Sequence, residues 1–130
     1  MIVVDSSVWI ASLRNQRTPP VMRLLDVSLQ EPLIVGDLVM AEVLQGARDE
    51  AHAARIERNL RQYVVKSMVS VEIAVKAARN HRTMRARGFT IRRTIDVLIG
   101  TFCIEGGHRL LHDDRDYDPM EHLLGLAIVR

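Results

Sequence analysis

Four carboxylates, Asp5, Glu42, Asp96 and Asp114, each sit inside or at the end of an apolar segment of this 130-residue chain. Asp5 ends IVVD, Glu42 interrupts LVMAEVL, Asp96 interrupts TIDVLIGTF, and Asp114 follows RLLHD. Acids almost never go fully buried unless paired. An ionised carboxylate alone in an apolar interior is prohibitive, so each needs a proton, a basic partner or a metal. Four of them on one small chain suggest a shared cation. Hard divalent ions such as Mg²⁺ and Mn²⁺ take oxygen ligands. Zinc favours histidine and cysteine, and His52, His81, His108, His112 and His122 are scattered without ligand spacing. No phosphate-binding glycine loop, dinucleotide fingerprint or G-x-S-x-G elbow occurs. An acid-only pocket points to metal-assisted phosphoryl chemistry.

Taken singly, each acid has a structural alternative. Asp5 could cap a helix. Glu42 could face water, although Leu38, Val39, Met40, Ala41, Val43 and Leu44 surround it nearly all the way round, the pattern of a buried helix. Asp96, among Ile95, Val97, Leu98, Ile99, Phe102, Cys103 and Ile104, could pair with Arg92 or Arg93. Asp114 belongs to HDDRDYD with Asp113, Asp116 and Asp118, and charge runs are usually solvated.

The elements that must position these acids read as short apolar runs alternating with helical stretches. IVV is a strand, followed by a helix capped by Ser6 or Ser7. Pro19 and Pro20 open the next helix. LIVG is a second strand, and Asp37 caps the helix carrying Glu42. EAHAARIERNLRQY is amphipathic, YVVK a strand, and a long helix runs from about Ser70 to Arg87, stopped by Gly88. Thr94 caps the helix of Asp96, RLLH is a strand, and LAIV is a candidate last one. Strands separated by helices mean βαβ units and a mostly parallel sheet of four or five strands flanked by helices. Ligands of such sheets bind at the carboxyl ends of the strands, where Asp5 and Asp114 fall. With Asp96 in the first turn of its helix, three aspartates could converge.

The length suits one domain spanning 1–130, and a hydrophobic content of 48% suits a packed core. No apolar run approaches the roughly 20 residues of a membrane span, and MIVVDSS lacks the marks of a signal peptide. The single cysteine, Cys103, excludes an internal disulfide, lies in an apolar run and fits a reducing compartment. A cytoplasmic globular protein is expected, with no membrane partner.

Of eighteen basic residues only Lys66 and Lys76 are lysine. Arginine-rich usage suits phosphate recognition, and it also follows from a GC-rich coding genome. Lys76, Arg79, Arg82 and Arg85 recur every third residue, with Arg92 and Arg93 beyond. This is either a phosphate track into the acidic pocket, with Arg79, Arg82, Arg92 and Arg93 as candidate RNA contacts, or an ordinary solvated face. Aromatic residues are too few for a base-stacking platform, and Trp9 reads as core or an interface anchor.

VVDSSVWI, AEVLQGAR, IRRTIDVLIGTFCIE and LLHDDRDYDPM, in this order and across essentially the whole chain, resemble a PIN-domain ribonuclease. More narrowly, the chain resembles the VapC-type toxins of bacterial type II toxin–antitoxin pairs. The resemblance implies a PIN-like three-layer α/β fold and an acidic quartet at Asp5, Glu42, Asp96 and Asp114. Metal would be held by Asp5, Asp96 and Asp114, Asp116 would be the acid beside a second metal, and Ser7 would orient the site. It further implies Mg²⁺- or Mn²⁺-dependent hydrolysis of RNA, with tRNA or rRNA as target, and Glu42 handling the attacking water. The expected partners are a second copy of the chain and a VapB-type antitoxin, joined in a larger complex. His112 stands where many relatives have threonine and Tyr117 where phenylalanine is usual; neither removes a ligand. Two rivals remain. A response-regulator receiver wants two acids after its first strand and a late lysine, which this chain lacks. A non-catalytic PIN-fold binding module would keep the fold without the activity.

Overall fold

A computed structural model describes residues 1–130. Four strands, β1 (Ile2–Val4), β2 (Leu33–Gly36), β3 (Val64–Lys66) and β4 (Arg109–Leu111), form one sheet in the order β3-β2-β1-β4. All three pairings are parallel, with Val3 opposite Ile34 on one side and Leu110 on the other. Around the sheet lie α1 (Ser6–Leu13), α2 (Pro19–Ser28), α3 (Asp37–Gln45), α4 (Glu50–Leu60), α5 (Val71–Ala86), α6 (Thr94–Gly106) and α7 (Asp118–Leu124), with a 3-10 turn at Arg115–Tyr117.

Every residue of β1 and β2 is buried, so both faces of the sheet are covered, as a parallel sheet requires. The helices fall into two packed groups: α1 against α2 and α3, with α4 on α3; and α5 against α6 and α7. The result is the expected α/β architecture of helix, sheet and helix. The strand order decides where a site can form. The chain builds β1, β2 and β3 outward, then crosses back to place β4 on the free side of β1. This reversal opens a crevice at the carboxyl ends of β1 and β4, and a bond from Asp5 N to the Leu111 carbonyl (2.9 Å) fixes the two ends side by side.

Several local expectations are corrected. The cap of α1 is Asp5 rather than Ser6 or Ser7: its carboxylate accepts from Ser7 N. Helix α3 begins after Gly36, and Asp37 is its first residue; Asp37 Oδ1 accepts from Leu38 N and Met68 N, tying β3's exit to α3. Arg93 holds the cap position of α6, and Thr94 is already helical. LAIV forms only a single bridge, Leu110 to Ile128, after α7 ends at a left-handed Gly125. Helix α3 is not buried all round: Val39 and Val43 face the core while Ala41 is exposed. The boundaries of α5 hold, with Ser70 capping and Gly88 at φ +90° after its end.

Candidate active site

Helix α6 carries Asp96 because its neighbours anchor it. Val97, Ile99 and Cys103 are buried, and burying one such aliphatic side chain contributes about 1.5–3 kcal/mol. Gly100 lets Met120 of α7 lie directly on the helix, where a Cβ would collide with its sulfur. This packing holds Asp96 at 2% exposure, facing the crevice. Asp96 Oδ2 is buried without a hydrogen-bond partner. Burial pushes its carboxyl up to about 7, against the opposing pull of Arg93, and the charges of Asp5, Asp114 and Glu42 push the same way as burial. A carboxylate with an orphaned oxygen among other acids calls for a cation.

Asp114 follows β4 and caps the 3-10 turn, its Oδ1 accepting from Asp116 N at 2.9 Å. That turn brings Asp116 round, so that carboxylate oxygens of Asp96, Asp114 and Asp116 all lie within 4.8 Å of one another. Asp113 and Asp118 of the same acidic run are exposed and stand outside this group. Three convergent carboxylates, one with an unsatisfied buried oxygen, fit a hard divalent ion.

Asp5 sits at the end of β1, 3% exposed, and stands beside the trio rather than in it. Its Oδ2 accepts from Ser7 N (3.1 Å) and Ser7 Oγ (2.6 Å), and its Oδ1 accepts from the hydroxyl of Tyr117 (2.8 Å). The Ser7 hydroxyl in turn accepts from Asp113 N at 3.2 Å, linking the end of β1 to the loop after β4. Glu42, from α3, accepts from Ser6 Oγ at 3.0 Å and pairs with Arg93. Arg93 Nε lies 3.9 Å from Asp96 Oδ2. The fold thus gathers all the sequence-derived acids and Ser7 at one strand edge. Arg93 as a partner of Asp96 was read from the sequence; its pairing with Glu42, and the site roles of Ser6 and Tyr117, were not. The one available signal was a tyrosine where the resemblance leads to phenylalanine.

The basic stripe divides. Lys76 is tied to Glu105 at 2.5 Å, which raises its pKa. Arg79, Arg82 and Arg92 are exposed. Arg82 and Arg85 border a groove of about 490 Å³ between α5 and α6, lined by Val69, Ala77, Val97 and Leu98 and reaching Thr94. Cys103 is buried and its thiol pushed far up by burial, so it is inert. Trp9 is core, tilted against Tyr63 at 5.1 Å. No helix is long and apolar enough to cross a membrane.

Comparison with known proteins agrees with this fold. The PIN domain family model matches residues 2–123. A VapC ribonuclease of Mycobacterium bovis and ribonuclease VapC11 of Mycobacterium tuberculosis are each 30% identical over 134 aligned positions, covering 97% of this chain and 96% of theirs. Among solved structures, a chain of VapBC2 from Rickettsia felis superposes with a TM-score of 0.76 at 13% identity, covering 99% of this chain and 98% of that one. A chain of VapBC-1 from nontypeable Haemophilus influenzae gives 0.76 at 17% identity, covering 99% and 97%. With its sheet order, its crevice of acids and these relatives in agreement, the chain belongs to the PIN-domain family, on the VapC-like side of it.

Proposed function

We propose that this protein is a metal-dependent endoribonuclease toxin of the VapC type, folded as a single PIN domain over residues 1–130. The observation that carries this reading is the convergence of Asp96, Asp114 and Asp116, with Asp96 Oδ2 buried and unpartnered. Asp96, Asp114 and Asp116 hold Mg²⁺ or Mn²⁺, with Asp5 as the adjoining ligand. A bound divalent ion supplies Lewis acidity that activates water and stabilises charge on the leaving oxygen of a phosphodiester. Ser7 orients Asp5 through its hydroxyl and amide.

Glu42 Oε1 stays on Ser6, and Glu42 Oε2 takes the proton of the attacking water once Arg93 moves from it to the RNA phosphate. A guanidinium suits that exchange, since carboxylate and phosphate present the same two-oxygen face to it. Arg79, Arg82 and Arg92, all exposed, supply contacts to the RNA backbone. The names of the mycobacterial relatives support ribonuclease chemistry, and the VapBC complexes support a VapB-type antitoxin as partner. The substrate is tRNA or rRNA, the protein acts in the cytoplasm, and two copies form a homodimer that assembles with antitoxin into a larger complex.

The test uses protein freed of antitoxin, incubated with total tRNA and rRNA in Mg²⁺ or Mn²⁺ and then in EDTA. Cleavage that needs metal and is lost in Asp96→Asn, with the fold retained, is expected. Cleavage undiminished by Asp96→Asn or by EDTA overturns the reading, and RNA binding with no cleavage favours a non-catalytic binding module.

A further inference from the structure

Asp5 is held more tightly than a simple metal ligand needs. A carboxylate offers about four lone-pair positions, and three on Asp5 are taken by donors fixed in the fold: Ser7 N, Ser7 Oγ and the Tyr117 hydroxyl. Tyr117 is fully buried at the end of the 3-10 turn and reaches Asp5 across 112 residues of sequence. The His112 ring lies against Tyr117 with centroids 4.9 Å apart, and His112 Nδ1 accepts from Asp114 N at 3.1 Å. These two aromatic residues therefore form a packed bracket between the acid after β1 and the acid after β4.

We propose that Tyr117, braced by His112, is a positioning residue for the divalent-ion site, its hydroxyl fixing the Asp5 carboxylate so that one defined lone pair is left for the ion held by Asp96, Asp114 and Asp116. The proposal rests on the metal-dependent reading above. Phenylalanine would fill the same space and pack the same core. It would leave Asp5 Oδ1 buried without a donor, and the carboxylate free to turn. Outer partners of ligating groups typically matter by about 10–100-fold in metal affinity.

The experiment measures Mn²⁺ affinity by calorimetry for wild type, Tyr117→Phe, Asp5→Asn and the double variant, with thermal melts in EDTA reporting the fold. Tyr117→Phe is expected to weaken Mn²⁺ binding about tenfold. In the Asp5→Asn background it should cost nothing further, because coupled residues are non-additive. Unchanged affinity in Tyr117→Phe, or an equal loss in both backgrounds, overturns the proposal while leaving the nuclease reading intact. A wild type that binds no Mn²⁺ overturns both. Fluorine NMR of protein labelled with 3-fluorotyrosine gives a check that no substitution at position 117 can confound. The chain has two tyrosines, and Tyr63→Phe assigns them. Saturating Mg²⁺ should move the Tyr117 resonance and leave that of Tyr63 in place; a stationary Tyr117 signal overturns the proposal.

Discussion

Arg93 spans the acidic crevice, its guanidinium paired with Glu42 from α3 while its Nε stands 3.9 Å from Asp96 Oδ2 in its own helix. The two carboxylates come from opposite helix groups, so one arginine at the cap position of α6 closes the pocket electrostatically. Glu42 is nearly buried and Arg93 half exposed, its side chain 51% accessible. The guanidinium can therefore leave without opening the core. An intrinsic cation of this kind lets the fold tolerate clustered acids, and it competes with any other cation for them.

Arg93→Gln is expected to bind Mn²⁺ more tightly than wild type. A partly exposed ion pair is worth on the order of 1 kcal/mol or less, which as lost competition is about fivefold in Kd. Stability in EDTA should fall by no more than a similar amount. Calorimetry at low salt checks this, and Mn²⁺ affinity that falls in Arg93→Gln contradicts it. The same variant should cleave RNA more slowly despite its tighter metal, because the phosphate loses its guanidinium.

Asp96 makes metal binding and stability depend on pH in opposite ways. Its folded carboxyl is raised to about 7 from 3.8, chiefly by burial. A raised folded pKa means the folded state holds the proton more tightly, so this contribution to stability is present below pH 3.8 and lost as pH rises through about 7. In EDTA, the melting temperature of Asp96→Asn relative to wild type should climb between pH 5 and 8. Metal binding needs the ionised form, so Mn²⁺ affinity of wild type should rise up to about tenfold per pH unit below 7 and level off above it. A flat Mn²⁺ affinity from pH 5.5 to 8 would sink the assignment of Asp96 as a ligand.

Element order and the sheet were legible because IVV, LIVG, VVK and RLL are short apolar runs separated by helix-length segments. Cap positions were less so. In Asp5-Ser6-Ser7 three good caps stand in a row, and only the backbone turn decides that Asp5 leads. The acids were legible one at a time, as carboxylates in apolar surroundings. Their convergence was legible only through the topology and the resemblance, since Asp116 reaches Asp96 by way of the 3-10 turn at Arg115–Tyr117. Tyr117 and Ser6 reach Asp5 and Glu42 across 112 and 36 residues, a distance no local pattern encodes. Arg93 could be read as a partner of Asp96, three residues on, but its bond to Glu42 depends on the α3 group facing α6.

The basic stripe is expected to split in its response to salt. Each phosphate contact to single-stranded nucleic acid adds about 0.7 to the slope of log affinity against log salt. Arg82→Ala in the Asp96→Asn background, which prevents cleavage, should reduce that slope by about 0.7. Lys76→Ala should leave it unchanged, since its ammonium is occupied by Glu105. Fluorescence anisotropy with labelled RNA over a salt series measures both. Equal slopes for the two variants would remove Arg82 from the RNA path.

Ser6 offers a way to separate Glu42's role from that of the metal ligands. Its buried hydroxyl donates to Glu42 Oε1 at 3.0 Å, on the side of the carboxylate away from Arg93. Glu42 lies outside the group of three converging aspartates. Ser6→Ala should therefore leave Mn²⁺ affinity within about twofold of wild type, while Glu42 loses the contact that fixes its rotation. A typical hydrogen bond is worth about 1 kcal/mol, so kcat should fall roughly five- to tenfold with KM nearly constant. Stability should drop by about 0.5–1.5 kcal/mol. Ser6→Thr, which keeps the hydroxyl, should recover most of the rate where its extra methyl is accommodated at the start of α1. If Ser6→Ala instead weakens Mn²⁺ as strongly as it slows turnover, Glu42 belongs with the metal ligands and not with the attacking water.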